Sequence, residues 1–227
     1  NLLRFVRSIA DYMYSVSGNT IYAHCYMEAE GEIEVSGGRM RLKQETGYPY
    51  DGRIRILTET EGACEIALHL PSWSEQWKLT VNGKEAEAVL RKGYLYVQRE
   101  WKCGDCLELE LDMSLRFWES NPRVIDTSGR IAVTRGPLVF CAEGIDNDDL
   151  LLRDVRIKPE QKGKIGSRQM EGTTLPVLEL DAGVREQEEE LYIRPGKPLR
   201  QVKLHLIPYF AWANRQVTSM NTWFLEE

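Results

Sequence analysis

Cys103 and Cys106 stand in C-x-x-C spacing, a pattern that elsewhere binds zinc or runs thiol–disulfide exchange. Zinc asks for four donors, and His24, Cys25 and Cys64 would join this pair only by a coincidence of folding. Redox use asks for a helix N-terminus to stabilise the thiolate. Here the cysteines flank Gly104-Asp105 between "YLYVQREW" and "LELELD", which reads as a hairpin. We read the pair as the rim of a turn. Among the three histidines, His69 and His205 fall on the polar phase of alternating runs and are expected to face solvent. His24, in "YAHCY", lies between two semi-apolar faces, and its side is open. No nucleophile elbow accompanies them.

Carboxylates are abundant, and glycoside hydrolysis needs only two, about 5–10 Å apart. Linear order does not locate such a pair, and "REQEEE" at Arg185–Glu190 reads as a solvated loop. The aromatic residues are more suggestive. "ETGYPYDGR", "LPSWSEQW", "LRFWESNPR" and "IPYFAWANR" set Tyr, Trp and Phe beside Asn and Arg. Sugar-binding sandwiches stack rings on sugar faces in this way, but a core or domain interface uses the same residues with Arg at its rim. Exposure and coplanarity of Trp73, Trp77, Trp118, Trp212 and Trp223 separate the two readings.

The elements that carry these residues follow from hydrophobic period. Leu2, Phe5, Val6, Ile9, Met13 and Val16 recur at helical spacing, and Leu3, Ala10, Tyr12 and Tyr14 widen the stripe, so residues 1–16 are expected to form one helix capped by Asn1. So broad an apolar surface suits a helix buried among others, and it is expected to pack on the first unit or on another molecule, or to be displaced from the place it would take in a longer parent. "SGNT" should end it. Beyond it the period is two. Ile66, Leu68 and Leu70 alternate with polar neighbours, as do Leu107, Leu109 and Leu111. Such alternation means antiparallel strands with one face on a core. Asn82-Gly83 is a two-residue hairpin signal, because both positions need φ > 0. Turn signals every 8–12 residues predict an all-β chain of two antiparallel, jelly-roll-like sandwiches, at 17–115 and 116–227, with a long loop at about 144–172.

Composition narrows the partners. The 227 residues carry a net charge of −6, with the signs mixed, and the pI is about 5.3. Nucleic acid or an anionic membrane would need a basic face. Five scattered cysteines are too few and odd in number for a disulfide framework, which favours reduced thiols and the cytoplasm.

Two long stretches are familiar. "ESNPRVIDTSGRIAVTRGPLVFCAEG" (Glu119–Gly144) and "IPYFAWANR" (Ile207–Arg215) resemble the C-terminal region of glycoside hydrolase family 127, the β-L-arabinofuranosidases. "RLKQETGYPYDGRIRI", "LHLPSW" followed by "TVNG", and the opening "NLLRFVRSIADYMYS" extend the resemblance over nearly the whole chain. The resemblance implies an (α/α)6 barrel followed by two β-sandwiches, the opening helix being the barrel's last. It implies a cysteine nucleophile near a zinc held by a glutamate and cysteines, with a further barrel glutamate as acid/base. In the family pattern the last of those cysteines lie in a "CCPP" segment just before the "NLLR"-like helix. No catalytic, cofactor-binding or metal position therefore carries onto this chain, and zinc belongs to the barrel. The expected role is a non-catalytic accessory region that braces the barrel, with a carbohydrate-binding module and a dimerisation module as alternatives. Its expected partners are the barrel of the same polypeptide, a second copy, or plant-derived carbohydrate. Two departures stand out: Cys103-Gly-Asp-Cys106 where relatives read "PGDT", and no glycine after Arg215 in "ANRQ".

Overall fold

The computed structural model describes residues 2–148, 150–170, 172–186, 190–192, 194 and 196–227. The chain divides into two compact units, Asn1–Met113 and Ser114–Glu227. It is nearly all-β, and no helix among the described residues is long and apolar enough to cross a membrane.

The opening helix is shorter than its apolar stripe predicts. Helix α1 covers Leu2–Ser8, a 3-10 segment follows at Ile9–Tyr12, and strand β1 already runs over Tyr14–Ser17. Tyr14 and Val16 are good strand residues, and the Gly18-Asn19 turn folds β1 back onto β2 (Thr20–Ala23). "SGNT" thus closes a hairpin rather than ending a helix. Met13 anchors the changeover at 3% exposure. The helix does not fold back on the unit: Leu3, Phe5 and Val6 are 87%, 54% and 57% exposed.

The remaining strands of unit one are β3 (Ala29–Val35), β4 (Gly38–Thr46), β5 (Arg53–Thr58), β6 (Gly62–His69), β7 (Trp77–Val81), β8 (Lys84–Glu85), β9 (Val89–Arg91), β10 (Tyr94–Trp101) and β11 (Cys106–Leu111). They form a five-stranded sheet, β1-β2-β6-β10-β9, and a six-stranded sheet, β3-β4-β5-β11-β7-β8. Both feed one apolar cluster. Ile21, Ile66, Leu68 and Leu95 enter it from the first sheet, and Leu42, Ile54, Ile56, Leu107 and Leu109 from the second, all at 0% exposure. Each such side chain contributes about 1.5–3 kcal/mol. The pairing is not wholly antiparallel: β2 and β6 run parallel, because β3, β4 and β5 lie between them in sequence and belong to the other sheet.

Asn82 (φ 53°) and Gly83 (φ 75°) form the left-handed turn expected of them between β7 and β8. The C-x-x-C turn is not a hairpin. β10 and β11 lie in different sheets, and residues 102–105 carry the chain across. Long-range bonds hold that crossing. The Gly104 N–H donates to Thr58 O at 2.7 Å, and the Thr58 N–H donates to Asp105 O at 2.9 Å. The Asp105 carboxylate accepts from Asn82 Nδ2 at 2.7 Å and from the Lys102 N–H at 2.9 Å. The Asn82 amide and then the Lys102 N–H hold this carboxyl below its usual range.

Unit two contains β12 (Leu115–Glu119), β13 (Arg130–Arg135), β14 (Leu138–Glu143), β15 (Arg156–Ile157), β16 (Lys164–Met170), β17 (Thr173–Val184), β18 (Arg200–Pro208), β19 (Met220–Asn221) and β20 (Trp223–Glu226). Two separate sheets were expected, yet the pairings close on themselves. β13 pairs with both β14 and β20, and the ring returns through β15, β17 and β18 to β14. The result is a six-stranded barrel. Closure satisfies the backbone groups that open edges would leave unpaired. Val133, Phe140, Ile157, Leu204, Leu206 and Phe224 fill it at 0% exposure. The expected loop at 144–172 is largely structured. It holds 3-10 turns at Gly144–Asp146 and Leu152–Asp154, then β15 and β16, whose full length pairs with β17. Of the acidic run, Arg185, Glu186 and Glu190 are exposed, and residues 187–189 lie outside the described set.

Candidate functional site

The two long motifs of unit two meet in space. Glu143 ends β14 and is the last but one residue of the first motif; Arg215 closes the second, beyond the 3-10 turn Tyr209–Ala211. The Arg215 guanidinium donates to the Glu143 carboxylate and, at 2.7 and 2.5 Å, to both oxygens of Asp146. Arg168 on β16 donates to Asp146 Oδ1 from the other side at 2.7 Å. The second Glu143 oxygen accepts the Ala213 N–H at 2.8 Å and so fixes a residue with φ 59°. The Glu143 and Asp146 side chains are 1% and 7% exposed, and that of Arg215 is 25% exposed. Asn147 extends the network inward, donating to the Glu143 and His205 carbonyls and accepting the His205 N–H. A cavity of about 450 Å³ opens beside it, lined by Asp146, Asn147, Arg200, Lys203 and His205.

Two carboxylates converge here, as glycoside hydrolysis would require, but both are committed to guanidinium. Burial pushes the Asp146 carboxyl up, and Arg215 and Arg168 outweigh it, leaving the carboxyl below its usual range. The Asp146 hydrogen bond in turn raises Arg215 further. A general acid needs a carboxyl held the other way. The cluster is a clamp that ties the aromatic loop after β18 to β14. That loop presents Tyr209, Phe210 and Trp212 at 46%, 57% and 42% exposure, with the Tyr209 and Trp212 rings 12° from parallel and 6.3 Å apart.

A second constellation lies on the five-stranded sheet of unit one. Ser15 Oγ and His24 Nε2 are hydrogen-bonded at 2.7 Å, and His24 Nδ1 and the Tyr94 hydroxyl at 2.7 Å. The order hydroxyl–imidazole–orienter resembles a nucleophilic triad. A neutral phenol in the third place does not stabilise an imidazolium as a carboxylate does, so the chain of bonds orients the ring. His69 lies 5.3 Å from the Tyr94 ring, and burial followed by the neighbouring His24 lowers its pKa.

The sequence-level candidates sort as follows. His69 and His205 are half-buried rather than solvent-facing; the Tyr94 ring lies against the first, and the backbone N–H of the second donates to Asn147. Cys103 is exposed on the crossing turn; Cys64 and Cys141 are buried, and burial pushes their thiols up to about 11 and about 12. A zinc site has no fitting donor set here: among the described residues no three His, Cys, Asp or Glu groups come together to hold a metal. Trp77, Trp118 and Trp212 are exposed, Trp223 is half-buried, and Trp73 packs against the core of unit one. The Glu143–Arg215 clamp was not visible as a site, although both residues lie inside the quoted motifs. Only their opposite charges at the two motif ends pointed to it.

Comparison with known proteins agrees with this architecture. Residues 20–113 match "Beta-L-arabinofuranosidase, GH127 middle domain", and residues 115–225 match "Glycoside hydrolase family 127 C-terminal domain". The non-reducing end β-L-arabinofuranosidase of Bifidobacterium longum subsp. longum is 34% identical over 97% of this chain and 35% of its own length. The crystal structure of Ara127N-Se, a GH127 β-L-arabinofuranosidase from Geobacillus stearothermophilus T6, superposes with a TM-score of 0.92 at 29% identity, over 100% of this chain and 37% of that one. A further GH127 β-arabinofuranosidase structure gives 0.89 at 30% identity, over 100% of this chain and 38% of that one. The chain thus spans little more than a third of the relatives it matches. With both units matched in order, and with the clamp joining the two motifs that carried the resemblance, the chain belongs to glycoside hydrolase family 127, as its middle and C-terminal domains.

Proposed function

We propose that this chain is the non-catalytic accessory region of a longer β-L-arabinofuranosidase, bracing a catalytic region that precedes it. One observation carries this reading: the matches are to a middle and a C-terminal domain, and they cover 35% of a relative named for that activity. The commitment of Glu143 and Asp146 to Arg215 supports it, since this buried convergent carboxylate pair is neutralised. On this reading zinc and the nucleophile lie in the preceding region. Unit one is then a jelly-roll sandwich, consistent with two sheets sharing one core. The free cysteines support a reducing compartment. The assay is release of p-nitrophenol from p-nitrophenyl β-L-arabinofuranoside. The polypeptide extended to the full length of its relatives is expected to hydrolyse it, and the 227-residue chain to stay at the uncatalysed rate. Comparable kcat/KM for the two would overturn the proposal.

The near-parallel Tyr209 and Trp212 rings favour a second reading, a sugar-stacking module. Titration with arabinan or a simple arabinoside should then quench Trp fluorescence, and Trp212→Ala should abolish the quenching. An unchanged spectrum and melting temperature at millimolar sugar sinks this reading.

A further inference from the structure

The two outer faces of unit one are built for different surroundings. On the six-stranded sheet Arg39, Arg41 and Arg55 each bridge two glutamates, an ion-pair lattice suited to water. On the five-stranded sheet the outward positions hold rings instead. Tyr22 stacks on His24 with centroids 6.1 Å apart and meets Tyr94 and Tyr96 edge-on at 5.6 and 5.9 Å. Arg91 lies over Tyr96 at 3.9 Å and also pairs with Glu65 at 3.7 Å, so an ion pair stands among the rings on this face.

Exposed apolar side chains follow the same division. In unit one Trp77 is the described large hydrophobic exposed on the six-stranded sheet. On the five-stranded sheet Val89 pairs with Tyr96 and shares its outward phase at 64% exposure, whereas Val16 and Leu90 pair with the buried Ile21 and Leu95 and line the sheet's edges from the inner phase at 41% and 55%. The ring-bearing face between those edges spans roughly 19 Å at about 4.8 Å per strand. Helix α1 enters the same sheet through β1 and carries Leu3, Phe5 and Val6 uncovered. Apolar surface grouped in this way on one side is a contact surface.

We propose that the outer face of the five-stranded sheet, carrying Tyr22, Tyr94 and Val89, is where the preceding region of the same polypeptide docks. The occupant follows from length and continuity. Relatives are nearly three times as long, unit one matches a domain named as middle, and the chain enters unit one at an edge of this sheet. The inference rests on the accessory-region reading and names the surface that reading leaves open.

Hydroxyl-radical footprinting tests it on the full-length polypeptide and on the 227-residue chain, with Trp77 as internal reference. Tyr22 and Tyr94 are expected to react several-fold more slowly in the long form, while Trp77 reacts equally in both. The variant Val89→Glu should abolish that protection and lower the melting temperature of the long form alone, since this side chain is already exposed in the short one. Equal tyrosine reactivity in the two forms overturns the proposal. So does protection that grows with concentration of the short chain alone, which assigns the face to a second copy. Arabinofuranoside hydrolysis by the long form is measured in parallel. Protection without hydrolysis defeats the functional reading and leaves the docking surface; hydrolysis without protection does the reverse.

Discussion

Replacing Arg215 with methionine should cost unit two about 3–5 kcal/mol, because it leaves two buried carboxylates without their shared cation. Glu143 is 1% exposed and Asp146 is 7% exposed, so neither reaches bulk water without moving the backbone. Asp146 would keep Arg168, but among the described residues Glu143 would retain only the Ala213 N–H on its carboxylate. Arg215→Lys should recover part of the loss, since an ammonium does not present the planar fork that reaches both acids at once. For a unit of this size the methionine variant should lower the melting temperature by more than about 10 °C. Acid should weaken the difference. Asp146 titrates below its unfolded value of 3.8, so its contribution is fully present above about pH 4 and is lost as pH falls through the folded value. Urea denaturation at pH 7 and pH 3 checks both points. A gap between wild type and variant that persists undiminished at pH 3 would show that Arg215 acts through packing rather than charge.

Trp101→Ala should be as damaging to unit one, at about 3–5 kcal/mol. The indole is fully buried at the end of β10, and its Nε1–H donates to Cys64 O at 3.0 Å. Alanine leaves a cavity at the point where the chain crosses between sheets, and it leaves that carbonyl without its donor. Trp101→Phe keeps most of the ring and should cost about half as much. The two substitutions act on different units, so a chain that unfolds in two steps should show one transition moved by each. A single transition shifted equally by both would mean that the units unfold together.

These residues also show how far sequence reaches. Alternation in "CEIALHLP" and "CLELELD" placed Ile66, Leu68, Leu107 and Leu109 on a core, and the structure buries all four completely. Asn82-Gly83 was legible because its turn depends on the φ of those two residues alone. Cys103–Cys106 was misread for the opposite reason. Gly104-Asp105 has the chemistry of a reversal, but its bonds go to Thr58 and Asn82, and those decide which sheet the next strand joins. The helix failed in the same way. The stripe from Leu2 to Val16 fits a helix on its own terms, yet Tyr14–Ser17 gains more by pairing with Thr20–Ala23 than by one further turn.

The sequence by itself determined the strand content, most inward positions, the local turns and the family, because these depend on neighbours two to four residues apart or on motifs read in order. Tertiary structure alone decided that the second unit closes into a ring of six strands, that His69 packs beside Tyr94, and that Glu143 meets Arg215 across 72 residues of sequence. A buried charge has to be paired wherever its partner lies along the chain, and linear order holds no distance between such partners until the strands that carry them have packed.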